Sequence, residues 1–189
     1  MVYDYFYEFD KASEFFNGDF RSLIAYGLQA DKVLSRDIKR DAVTTALTEQ
    51  NQKYGCGHKT LENISNLNRD DTCAVVTGQQ TGLFGGPLYT IYKVLTAIKL
   101  ADYLNQNVQR CFVPIFWLAS DDHDFAEINH ITLLDKENKV HKIRYEGHSL
   151  ALKMPVSKIM LTSEIDNCIQ QLISTCLLYT SDAADEEDS

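Results

Sequence analysis

The sequence predicts an α/β fold built on a parallel sheet, with a small hairpin beside it. Two short apolar runs, residues 73–77 and 111–118, read as strands buried on both faces. Between them, Leu88, Ile91, Tyr92, Leu95 and Ile98 recur at three- and four-residue steps, which predicts a helix over 88–104. A right-handed crossover through that helix makes the two strands parallel. The segments that follow each strand then meet at one edge of the sheet, where open α/β folds build their sites.

The elements follow in chain order. Residues 1–18 are rich in aromatics (Tyr3, Tyr5, Phe6, Tyr7, Phe9, Phe15, Phe16) and irregular, so an arm that packs down is expected. Residues 19–29 and 31–53 read as helices, the second with a loose apolar stripe of Val33, Leu34, Ile38, Val43 and Leu47. Gly55, Cys56 and Gly57 break it. Residues 60–67 read as a short helix capped by Thr60. After the first strand, a glycine-rich loop leads to Pro87 at a first helical position. Pro114 predicts an irregularity in the second strand. Residues 130–134 and 140–145 flank a polar turn and read as a hairpin, and 159–173 as a last helix. The expected division is an N-terminal arm and helices over 1–70, a core over 71–175 and an acidic tail over 176–189.

Composition narrows the function classes. The 189 residues suffice for one domain with a hydrophobic core. No apolar run is long enough for a membrane span. The first residues lack the basic start and apolar stretch of a signal peptide, and five cysteines without a CxxC pair favour free thiols in a cytoplasmic setting. Net charge is −9, with no basic footprint for nucleic acid. Much of that charge sits after Ser181: without those five acids, 22 acids face 18 bases, a net −4. This end resembles translated adapter read-through, which predicts an interrupted N-terminal piece of a longer polypeptide.

Two segments carry the chemistry. Thr77-Gly78-Gln79-Gln80-Thr81-Gly82-Leu83-Phe84-Gly85-Gly86-Pro87 enters a helix, where free N–H groups and the helix dipole favour an anion. It matches neither a Walker loop nor G-x-G-x-x-G, and Gly82, Gly85 and Gly86 equally suit a tight turn. Gln79 and Gln80 offer amides to a hydroxyl, a carboxylate or an adenine edge. Lys93 can lean back toward a bound phosphate, yet it falls opposite the apolar stripe, as a plain surface lysine would. Asp121-Asp122-His123-Asp124 follows the apolar Phe116-Trp117-Leu118. Crowded carboxylates raise one another's pKa, so acid–base work or Mg²⁺ binding is one reading. A hydrogen-bonded loop whose Asp caps the helix begun by Glu127 is the other.

These segments, with Lys93, Ala97-Ile98-Lys99-Leu100-Ala101 and Glu127-Ile128-Asn129, closely resemble the cysteine ligase (BshC) family of bacillithiol biosynthesis. Thr60-Leu61-Glu62-Asn63-Ile64 resembles it too, and Asp121 stands where the family pattern suggests Glu. The resemblance implies a Rossmann-like core and the addition of cysteine to glucosaminyl-malate, with ATP activating the cysteine carboxylate as an acyl-adenylate or acyl-phosphate. It implies that Gly78, Gln79, Gln80, Gly82, Gly85, Gly86, Lys93 and Trp117 bind substrate or nucleotide. Asp122, His123 and Asp124 would be catalytic or carry Mg²⁺. Family members are longer and form a homodimer through a coiled coil, which is not expected of this shorter chain. The competing expectations are a nucleotide- or phospho-sugar-binding transferase, and an inactive fragment.

Overall fold

The structure, a computed structural model, describes residues 1–135, 137–147 and 154–180. Among the described residues, seven α-helices and four strands follow one another: α1 (Val2–Tyr7), α2 (Leu23–Leu34), α3 (Arg40–Lys53), α4 (His58–Asn66), β1 (Thr72–Gln80), α5 (Tyr89–Asn107), β2 (Cys111–Ala119), α6 (Phe125–Ile128), β3 (His130–Leu134), β4 (Val140–Arg144) and α7 (Glu164–Thr180). β1 and β2 form a parallel pair, and β3 and β4 a separate antiparallel pair. The α/β class expected from the sequence is the one observed. The chain divides into two compact units: residues 1–77 with 95–116, and 78–94 with 117–189.

In the first unit, Ala30 of α2, Cys73 of β1, Ala101 and Leu104 of α5, and Phe112 of β2 make the core. Ser22 caps α2 by accepting from the Ala25 N–H at 3.2 Å. The expected break near residue 30 falls instead at 35–39, where the Ser35 hydroxyl donates to the Lys32 carbonyl at 2.9 Å. The supposed stripe is thereby split between two helices, and α3 has no buried residue. α3 is tethered by a polar group: the Arg40 guanidinium donates to the carbonyls of Leu67 and Thr72 at 2.8 and 3.1 Å. Thr60 lies inside α4, whose N-cap is Gly57. The N-terminal arm contains α1 and two 3₁₀ turns rather than irregular chain. Tyr5 gathers Phe6, Phe9, Phe16 and Phe20 around it at 4.4–6.1 Å between ring centroids.

The largest departure concerns α5. Leu88, Ile91, Tyr92, Leu95 and Ile98, expected to face the core, are exposed. The buried face carries Ala97, Ala101 and Leu104, because small alanines let a helix approach closely. β1 and β2 also differ from strands covered on both sides: Cys73 and Phe112 are buried, while Val76, Trp117 and Leu118 are exposed.

In the second unit, Phe125, Ile143, Tyr145 and Cys168 form the core, with Leu83 and Phe84 packed against them. β3 and β4 pair in the expected hairpin, from His130 opposite Arg144 to Leu134 opposite Val140. The Tyr145 hydroxyl accepts from the Thr162 N–H at 2.9 Å, which satisfies its buried oxygen. α7 starts at Glu164 and continues to Thr180, past the expected limit of the core at residue 175. The acidic segment from Ser181 onward lies outside the described residues. Cys56, Cys73, Cys111 and Cys168 are free thiols.

Candidate functional site

From Gly78 and from Asp121 onward, the two chemistry-bearing segments lie in the second unit. Gln79 and Gln80 are the last residues of β1 rather than loop residues. Gly78 before them is fixed by strand approach: a Cβ there would sit 2.8 Å from the Trp117 carbonyl oxygen. Trp117 itself, expected to bind a ligand, has a side chain that is largely exposed, and its backbone is what meets Gly78.

The glycine loop folds on itself. The Gly85 N–H donates to the Gly82 carbonyl and the Gly86 N–H to the Leu83 carbonyl, both at 3.0 Å. Gly85 and Gly86 have φ of +91° and +75°, a region that favours glycine. A Cβ on Gly82 would lie 2.7 Å from the Gly86 Cα. Leu83 and Phe84 anchor the loop in the second core.

Lys93 is engaged. Its ammonium donates to the Gln79 Oε1 at 2.8 Å and the Gly78 carbonyl at 3.2 Å, and lies 5.2 Å from the centre of the Tyr89 ring. The Gln79 amide in turn donates to the Tyr89 hydroxyl at 3.2 Å. The exposure of the apolar stripe explains this: the side opposite it, where Lys93 stands, faces the strand.

The acidic segment is held largely by its own backbone. Asp122 Oδ1 accepts from the N–H groups of His123 and Asp124 at 2.6 and 3.1 Å. Asp124 is the N-cap of α6 and accepts from the Glu127 N–H at 3.1 Å, the capping role among the alternatives. The carbonyls of Ser120 and Asp122 accept from Ser157 and Val156, both at 2.9 Å. Asp121 and His123 are exposed.

Gln80 joins the two segments. Its amide nitrogen donates to Asp122 Oδ2 at 2.5 Å and to Glu127 Oε2 at 3.1 Å. That bond, then the N–H groups of Asp124 and His123, holds the Asp122 carboxyl below its ordinary range. The rise expected from crowded carboxylates is not seen at Asp122, where every hydrogen bond favours the charged form.

Beside this junction is a cavity of about 70 Å³, lined by Gln79, Gln80, Gly82, Tyr89, Glu127 and His130 among others. Complete small-molecule sites span roughly 300–1,000 Å³, so the cavity suits one polar group of a larger ligand. Glu127, Tyr89 and His130 escaped the sequence reading as site residues. For Glu127 a signal existed: Asp124-Phe125-Ala126-Glu127 has the spacing of a capping box, which places Glu127 beside the loop. Among the described residues, no group of three or more acids, histidines or cysteines could hold a metal, and no helix is long and apolar enough to cross a membrane.

Fold and site together define a Rossmann-like α/β domain with polar residues gathered where two parallel strands end. The family model described as "Bacillithiol biosynthesis BshC, N-terminal Rossmann-like domain" matches residues 1–185, and the chain belongs to that family. Three relatives bear the name "Putative cysteine ligase BshC". The protein of Solibacter usitatus is 41% identical over 160 residues, covering 85% of this chain and 29% of the relative. That of Salinibacter ruber is 36% identical over 172 residues, covering 91% and 31%. That of Chloroherpeton thalassium is 40% identical over 153 residues, covering 80% and 27%. The chain thus spans less than a third of the length of these relatives.

Proposed function

We propose that this chain supplies the N-terminal part of a ligase that adds cysteine to glucosaminyl-malate in bacillithiol biosynthesis. Membership of the family supports the reaction class. The observation that carries the site is Gln80, whose amide ties the end of β1 to both Asp122 and Glu127. Amide formation requires an activated carboxylate and an amine that gives up a proton. Asp122 and Asp124 shape the segment, and their placement leaves the exposed imidazole of His123 at its tip. His123 is the group proposed to take the proton.

ATP is proposed as the source of activation, acting in the complete protein. The glycine segment fits a phosphate poorly in this arrangement, since Gly85 and Gly86 turn their N–H groups to their own loop and Lys93 to Gly78 and Gln79. No step is therefore assigned through the nucleotide. Magnesium would arrive with phosphates rather than on a prebuilt set of ligands. A homodimer belongs to the proposal for the complete protein alone.

The test is complementation. Full-length protein carrying this domain should restore bacillithiol to a strain lacking the ligase. His123→Ala and Asp122→Asn should each fail to do so at equal protein levels. Restoration by both variants would overturn the site assignment. Turnover of ATP that proceeds equally well without cysteine would favour a nucleotide- or phospho-sugar-binding transferase instead.

A further inference from the structure

We propose that the cavity beside Glu127 receives the protonated amino group of an amino sugar when it binds, ahead of the deprotonation assigned to His123, with Glu127 as the carboxylate that meets the nitrogen and Gln80 as its positioning residue. This rests on the ligase reading for the identity of the amine, and on the geometry for its place.

Several carboxylate oxygens at this junction are already committed. Asp122 spends both oxygens on three donors: Gln80, His123 and Asp124. Asp124 spends an oxygen on the Glu127 N–H as a helix cap. Glu127 is set apart by its place: Asp124 Oδ2 and Glu127 Oε1 both carry no hydrogen bond among the described residues, but Glu127 is the one of these three carboxylates that lines the cavity, and Gln80 holds its Oε2. Gln80 has two N–H donors and gives them to the two carboxylates, so it fixes Glu127 without neutralising it.

Of the other titratable groups in the lining, His130 has its Nδ1 3.2 Å from the Asn129 Oδ1, and the Tyr89 hydroxyl accepts from Gln79. No lysine or arginine is among the described residues that line the cavity. Lys93, the nearest candidate in sequence, directs its ammonium to Gly78 and Gln79. The Gly85 and Gly86 N–H groups, which an anion would need, close the loop instead. Thr81, also in the lining, has a hydroxyl oxygen that is buried and without a hydrogen-bond partner. An ammonium supplies what Glu127 lacks, a positive charge and N–H donors for its second oxygen, which a phosphate does not; the Thr81 hydroxyl, donor and acceptor both, suits either. About 70 Å³ admits such a group with the sugar ring outside.

The experiment uses the 189-residue chain, labelled with ¹⁵N, titrated with glucosamine, N-acetylglucosamine and inorganic phosphate at constant ionic strength. Glucosamine should shift the Gln80 side-chain amide and the Thr81 backbone signal to saturation. N-acetylglucosamine, whose nitrogen carries no charge, and phosphate should not. Glu127→Gln, on an exposed side chain, should keep the melting midpoint and weaken glucosamine binding about tenfold or more. Gln80→Leu should weaken it as well, with Glu127 intact but no longer held. Equal shifts with N-acetylglucosamine, binding of phosphate at the same residues, unchanged affinity in Glu127→Gln, or no response to glucosamine would each overturn the proposal. Failure of the ligase reading shows separately, as turnover that does not depend on cysteine, and leaves the binding result standing.

Discussion

Asp122 illustrates how one carboxylate is fixed by its neighbours. Three donors converge on it from Gln80, His123 and Asp124. Each prefers the ionised form, so the folded carboxyl titrates below its ordinary value of 3.8, with the Gln80 bond the largest cause. A depressed folded pKa contributes stability that is present above the ordinary value and lost as pH falls through the folded one. Gln80→Leu removes the first cause. The Asp122 midpoint, followed by its carboxyl ¹³C shift, should then rise toward 3.8, and the part of the acid-side loss of stability that Asp122 contributes should shrink, leaving stability less dependent on pH below 3.8. An unmoved midpoint would show that the N–H groups suffice. None of this was legible in the run of acids itself. Gln80 lies 42 residues from Asp122 and 47 from Glu127, and no local pattern links them.

At the scale of the element, α5 carries two faces that compete for burial. Its larger apolar residues, including Ile91, Leu95 and Ile98, are exposed, while Ala97, Ala101 and Leu104 are buried. The periodic signal locates a helix correctly but weighs residues by size, and here the close-packed side is the one with alanines. Substitutions separate the faces. Ala101→Leu adds volume at a fully buried position and should cost about 1–3 kcal/mol. Ile91→Lys, 58% exposed, should stay within about 0.5 kcal/mol. Urea midpoints measure both, and a large loss in Ile91→Lys with none in Ala101→Leu would reverse the assignment. The hairpin was easier to read, because a polar turn between two β-branched runs sets its register locally.

For the whole molecule, the consequence is a chain with two separate cores and a quantity of exposed apolar surface. Ile91, Leu95, Trp117 and Leu118 are among the large residues facing solvent. Exposed apolar groups on that scale promote association, against which the net charge of −9 acts. Ile91→Glu combined with Leu95→Glu should therefore lower the particle size seen by light scattering, with the melting midpoint moved by no more than about 4 °C. Scattering that is unchanged would place the association elsewhere. The relatives, more than three times as long as the matched region, are the natural setting in which to ask what covers this surface.

The sequence by itself determined the α/β class, the order of strands and helices, the hairpin, and the two segments that carry the polar chemistry. These depend on local rules: periodicity, turn residues and the spacing of caps. The tertiary structure decided which face of α5 is buried, that Lys93 serves the end of β1, that both oxygens of Asp122 are committed, and that Glu127 is the acid brought to the cavity. The reason is physical. A residue type states what a side chain can donate or accept, but only the folded neighbours decide which of those bonds are already made.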